Sequence, residues 1–219
     1  MVSVGLYVTV PIASFRAPQA REYLETLPCP PPSTVYGMLL ALVGEPDRLQ
    51  HRGAEVAVAL LTEPARSTLL RTAWRIKDRR LSPGVGNNRR PDFQEVLTGV
   101  ELGVWVRHGK DETAPVSLAE RVGQALRDPA SVQRFGGLSL GESPYLVDEI
   151  SPRFPPPWDG PEPPPVRWLV ADVRGNLALP IWPDHVGSAG TRWGQFWLET
   201  AAWTPEPPEE AWVAVNPPI

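Results

Sequence analysis

Proline recurs so densely in this chain, 28 times in 219 residues, that a fold built on long helices is excluded. Each proline removes a backbone donor and clashes with the preceding helical turn, and the usual frequency is only ~5 %. Eight of the prolines fall between Ser151 and Pro165. That stretch can carry neither ladder nor helix, so it reads as a stiff linker or a long wrapped loop. It divides the chain into a main domain over 1–150, a linker over 151–165 and a C-terminal part over 166–219. With 42 % hydrophobic residues, the main domain can bury a proper core.

Hydrophobic periodicity supplies the elements. Val4, Leu6, Val8 and Val10 alternate with Ser3, Gly5, Tyr7 and Thr9, which predicts a strand over Val2–Val10 closed by Pro11. The loop from Ser14 to Cys29 is too long for a hairpin and must place side chains. Pro30, Pro31 and Pro32 then stiffen the entry to an apolar helix that Ser33 or Thr34 can cap and that runs to about Val43, with Gly44 as its stop. Glu55–Leu61 and Val100–Arg107 read as strands, with Leu70–Phe93 between them as a projecting hairpin or flexible arm containing the turn-forming Pro83-Gly84, Gly86-Asn87-Asn88 and Pro91. Ser117 and Glu120 form a capping box for a helix to about Arg127. A glycine-rich loop over Phe135–Ser143 leads to a strand over Tyr145–Ile150. The order β-α-β-β-α-β is that of an α+β, ferredoxin-like or RRM-like domain. Past the linker, Arg167–Val173, Leu177–Trp182, Gln195–Ala202 and Trp212–Val215 predict a small β-rich C-terminal extension packed on it.

Charge is distributed unevenly. The net charge is −4, which argues against a protein that coats nucleic acid with its whole surface. Yet the limb from Arg66 to Arg90 carries Arg66, Arg71, Arg75, Lys77, Arg79, Arg80, Arg89 and Arg90 against the single acid Asp78. Such a limb on an acidic body suits one local phosphate-binding surface, with a solvated charged loop as the alternative. From Glu199 on there are four Glu and no Lys or Arg. Most of the nine tryptophans follow Pro157, and they suit either core packing or a subunit interface. The single Cys29 excludes a disulfide framework and a multi-cysteine zinc site. No charged-then-apolar leader and no long apolar run is evident, so no membrane contact is expected and the cytoplasm is the simplest compartment.

Phe15, Arg16, Arg21, Tyr23 and the run Pro32-Ser-Thr-Val-Tyr-Gly-Met-Leu-Leu40 resemble the N-terminal motif of the fifth family of CRISPR-associated (Cas) proteins. That family is a branch of the RAMP (repeat-associated mysterious protein) superfamily. The resemblance spans about the first 150 residues and is closest to myxobacterial-type or I-B-type members. It implies a ferredoxin-like RAMP fold and a non-catalytic subunit that caps the 5′ handle of the crRNA (the CRISPR guide RNA) in a type I Cascade complex. It also implies the partners: the crRNA, the repeated backbone subunit, the large subunit and, through the complex, target DNA. No cofactor and no metal is expected.

The candidate RNA-binding residues fall in three groups. The first loop offers Ser14, Arg16, Arg21 and Tyr23, and Ser33 and Thr34 mark a helix N-terminus whose free N–H groups can seat a phosphate. Phe15 is either a core anchor or a stacking residue. The second group is the basic arm, about 66–95, with Arg75, Lys77, Arg79, Arg80, Arg89 and Arg90. Arginine binds phosphate and guanine edges bidentately, and the resemblance implies a thumb-like insertion separating the first guide nucleotide from the handle. The third is Gly136, Gly137 and Gly141, where a glycine-rich loop lets backbone approach a ligand. A structural turn explains such a loop as well, but the resemblance implies that it lies against RNA.

Catalysis is the competing class. Metal-independent RNA cleavage needs a base, an acid and a cation. The resemblance includes a type I-C branch that processes precursor RNA with a Tyr, Lys and His, for which Tyr23, Lys110 and His108 are the candidates. The bare sequence favours a solvated strand-end turn for His108 and a surface turn for His51. No nucleophile elbow accompanies His185, and no P-loop, HExxH or clustered-acid motif occurs. An RNA-binding module outside CRISPR systems is the remaining rival.

Overall fold

The computed structural model describes residues 3–20, 23–152, 165–184 and 190–218. The chain runs β1 (Ser3–Ala13), β2 (Tyr23–Leu24), α1 (Pro32–Leu42), β3 (Glu55–Leu60), β4 (Ala65–Trp74) and β5 (Arg89–Arg107). Then follow α2 (Leu118–Arg127), β6 (Glu149–Ser151), β7 (Pro165–Ala171), β8 (Leu177–Trp182), β9 (Arg192–Ala202) and β10 (Val213–Ala214). The main path of the sheet is β6-β1-β5-β3-β7-β9-β8, with β2 and β4 also paired to β5 and β10 to β3. All pairings are antiparallel except that of β2 with β5.

Alternation decides which way each strand faces. Leu6, Val8 and Val10 of β1 and Val100, Leu102, Val104 and Val106 of β5 are buried in one large cluster with α1 and α2. The apolar run of β3 has a simple cause, since the strand is covered on both faces. Val56, Val58 and Leu60 join the helix-side cluster, while Ala57 and Ala59 pack with Trp105 and Trp168 on the reverse face. Those two indoles lie 5.0 Å apart between ring centroids, and Trp105 Nε1–H donates to the Pro205 carbonyl at 3.0 Å. The acidic tail is partly neutralised internally. Arg107 pairs with Glu55 and Glu209 and stacks on Trp212 at 4.3 Å, and Ser3 donates to Glu206. Ser117 and Glu120 make the reciprocal capping box that opens α2. Cys29 is fully buried, and burial pushes its thiol up to about 12, which leaves no accessible thiolate. No helix among the described residues is long and apolar enough to cross a membrane.

Several expectations change. β1 does not stop at Pro11 but continues to Ala13, because β6 pairs only with Tyr7–Thr9 and the outer edge of β1 is open at the proline. Pro91 lies inside β5, opposite Thr72, and not in a turn. β5 meets β2 only at Phe93 and Gln94, so Pro91 again sits on an open edge. Neither Ser33 nor Thr34 caps α1. The cap position is Pro31 and Pro32 starts the helix, where a missing N–H costs no intrahelical bond. His51 is buried, not in a surface turn, because Glu112 and Arg121 satisfy both ring nitrogens. The last strand of the first half is short, Glu149–Ser151, preceded by an isolated bridge between Ser139 and Leu146. Residues 153–164 of the expected linker, Arg21 and His185 lie outside the described residues.

Candidate nucleic-acid interface

Three segments far apart in sequence meet at one cleft of about 760 Å³. The first loop contributes Ser14, Phe15 and Arg16, the start of α1 contributes Ser33 and Thr34, and the glycine loop contributes Ser139, Gly141 and Glu142. Phe15 is core, 3 % exposed, and its backbone N–H donates to Thr26 Oγ1 at 2.9 Å. Its neighbour Ser14 is equally enclosed, and its hydroxyl has no hydrogen-bond partner among the described residues. Arg16 is exposed at the rim, its guanidinium 3.4 Å from the Ala20 carbonyl. Arg48, which the sequence did not single out, also lines the cleft, stacked 4.2 Å over Trp182. Burial pulls its guanidinium below the ordinary arginine value.

Gly141 makes the convergence possible. Its φ is +93°, and a Cβ there would stand 2.5 Å from the Ser14 carbonyl oxygen and 3.1 Å from the Phe15 ring. Glu142 N–H donates to that same carbonyl at 3.2 Å. Gly136 has φ +74°, but a Cβ there would meet nothing within 4 Å, and Gly137 abuts Leu146, so neither lines the cleft. Gly141→Ala should therefore cost about 2–3 kcal/mol, against about 1 kcal/mol for Gly136→Ala. Urea unfolding of the two variants measures the difference.

Glu142 joins the cleft to the arm. Gln94 Nε2 donates to it at 2.9 Å, and Arg71 approaches it at 3.5 Å. β4 pairs with the first half of β5 from Ala65↔Thr98 at the root to Trp74↔Arg89 at the tip, so the basic limb is a regular hairpin that Glu142 touches midway. Its tip is tied by Asn88, a residue the sequence offered only as a turn former. The Asn88 side chain is fully buried. Its oxygen accepts from the N–H groups of Lys77 and Asp78, and its amide donates to the carbonyls of Asp78 and Leu81, all within 2.8 Å. The loop is thereby held open with Arg75, Lys77, Arg79, Arg80 and Arg89 exposed. Arg90 is spoken for by Asp92 at 2.7 Å.

Tyr23, His108 and Lys110 are not brought together. Tyr23 sits beside Phe93 midway along the arm, whereas His108 follows Arg107 at the opposite end of β5, roughly 45 Å away along the strand. His108 Nδ1 instead lies 3.2 Å from Glu112. Among the described residues, no group of three His, Cys, Asp or Glu could hold a metal ion.

Comparison with known proteins agrees with this architecture. The family model described as CRISPR-associated protein (Cas_Cas5) matches residues 4–165. A curated relative from Myxococcus xanthus (strain DK1622), CRISPR-associated protein Cas5, is 42 % identical over 203 residues, covering 93 % of each chain. Among solved structures, a chain of a CRISPR RNA-guided surveillance complex superposes with a TM-score of 0.65 at 15 % identity, over 96 % of each chain. A second, described as a Cas protein, gives 0.55 at 14 % identity, over 92 % of this chain and 95 % of its own. These two likenesses are of fold. The extent of the family match and the near full-length identity establish that this chain belongs to the Cas5 family of CRISPR-associated proteins.

Proposed function

We propose that this Cas5 protein is the subunit of a type I Cascade complex that holds the 5′ handle of the crRNA, without cutting it. The observation that carries this reading is the meeting of Ser14–Arg16, the α1 N-terminus and Gly141 at one cleft, continuous through Glu142 with a cationic hairpin. The cleft offers Arg16 at its rim and Arg48 and the Ser33–Thr34 start of α1 in its lining, groups suited to RNA phosphates. The hairpin, with Lys77, Arg79 and Arg80 at its tip, is the thumb that clamps the guide where handle meets spacer. The order β1-α1-β3-β5-α2-β6, with β6-β1-β5-β3 as neighbours in the sheet, supports assigning a ferredoxin-like RAMP core. The acidic C-terminal side, with Trp193 and Trp197 exposed, suits contact with the backbone and large subunits better than contact with RNA.

The separation of Tyr23 from His108 and Lys110 speaks against the processing reading. Incubating the protein with its own labelled repeat RNA in EDTA, read on native and denaturing gels, tests both. A shifted, intact RNA is expected. A single cut at the base of the repeat hairpin, lost in His108→Ala, would make the protein a processing enzyme.

A further inference from the structure

The reverse face of the sheet carries a second cavity, separate from the cleft. It holds about 400 Å³ and is lined by Trp168, Val170, Glu199, Ala201, Pro208 and Glu210, among others. Trp168 is buried there and supplies an apolar wall together with Val170 and Ala201. The register sets Val170 opposite Trp197, which is 39 % exposed beside the cavity.

The four glutamates from Glu199 on divide into two pairs. Glu206 accepts from Ser3, and Glu209 pairs with Arg107. Glu199 and Glu210 are exposed, and neither carboxylate has a hydrogen bond or ion pair among the described residues. The two uncompensated carboxylates are the two that line the cavity. Carboxylates beside an indole fit one long cationic side chain, whose stem packs on the apolar wall while its head meets the acids.

This chain itself carries the complementary charge. Lys77, Arg79 and Arg80 at the arm tip are exposed, and their side chains are likewise unpaired among the described residues. They cannot reach the cavity of their own molecule. Trp168 and Gly103 both pair with Ala59, and Gly103 lies roughly 45 Å along β5 from Arg89 at the tip. A cation of this arm therefore fills such a cavity only in another molecule.

We propose that the arm tip of one copy docks in the Glu199–Glu210 cavity of a second copy, so that the RNA-free protein associates head to tail. Exposed ion pairs are weak and screened by salt, so the contact is transient and salt-sensitive. It uses cations that the proposed function offers to RNA, so RNA and a second copy exclude each other. Only that exclusion rests on the RNA-binding reading.

Sedimentation velocity of the full chain without RNA tests the proposal. At about 50 mM salt and up to about 100 µM protein, the wild type should gain mass with concentration, and higher salt should remove the gain. Glu199→Lys/Glu210→Lys should weaken association at least about tenfold, and so should Lys77→Glu/Arg79→Glu/Arg80→Glu. An equimolar mixture of these two variants should associate again, because each supplies a tip opposite in charge to the other's cavity. Asp128→Lys/Glu149→Lys makes the same change in net charge at exposed positions after α2 and on β6, away from the cavity. It should behave as wild type. A wild-type chain that stays monomeric overturns the proposal. So does a mixture that stays monomeric, or a control that loses association equally. Saturating repeat RNA should dissolve the wild-type association. Persistence of the association with RNA bound overturns the exclusion, and with it the reading of the tip as an RNA contact, while the charge reversals still decide self-association.

Discussion

Replacing Glu112 with Ala is expected to remove about 3–5 kcal/mol of folding stability while leaving RNA binding by the folded protein nearly unchanged. The Glu112 side chain is completely buried. One of its oxygens accepts from His51 Nδ1 at 2.9 Å and from the Leu118 N–H at 2.7 Å, and the other faces His108 at 3.2 Å. On the far side of the imidazole, Arg121 donates to His51 Nε2 at 3.0 Å, which leaves the Nδ1 proton pointing at the carboxylate. Arg121 is itself held by Glu45 and the Val43 carbonyl. Removing the carboxylate strands two buried donors and a charged guanidinium network, the situation in which losses are largest. Glu112→Gln keeps one acceptor and should cost less. Urea midpoints measure the stability, and repeat-RNA titration in the folded range measures affinity. A stable Glu112→Ala protein, or one with RNA affinity lost in proportion to stability, would contradict this structural role for His51 and His108.

The triple change Lys77→Ala/Arg79→Ala/Arg80→Ala should weaken repeat-RNA binding about a hundredfold near physiological salt, with stability unchanged. All three side chains are exposed, and the tip geometry is set by backbone groups and Asn88, so no packing is lost. Three phosphate contacts at ~1 kcal/mol each give about 3 kcal/mol, hence the two decades. The slope of log affinity against log salt should also flatten by about 2, at roughly 0.7 for each contact with a single strand. Asn88→Ala offers a contrast. It keeps every charge but frees the tip, so affinity should fall with the slope retained. Equal slopes for wild type and the triple variant would mean that the tip cations do not touch RNA.

Local pattern made much of this fold readable. The alternation in β1 and β5, the capping box of α2 and the charge of the hairpin are properties of neighbouring residues. The same holds for the Pro32–Leu40 run, which carried the family resemblance. What escaped was set by distant partners. His51 looks like a surface residue until Glu112 and Arg121 are brought to it. Pro11 looks like a strand end and Pro91 like a turn former until the open edges beside them are known. β2 is two residues long and exists only because β5 is there to pair with it. The cleft depends on Gly141 touching Ser14, a contact that glycine-rich composition suggests but cannot aim. The pairing of Phe93 with Leu70 and Tyr23 needs the register of three strands, and no single segment shows it.

The central claim is tested most directly by competition. Labelled RNA carrying the native 5′ handle is bound to the protein in EDTA and displaced by the same RNA with its handle nucleotides permuted. Preference for the native handle by tenfold or more (about 1.4 kcal/mol), with the RNA intact throughout, is the expected result. Equal displacement by both RNAs, or cleavage of the bound strand, would contradict a non-catalytic handle-capping subunit.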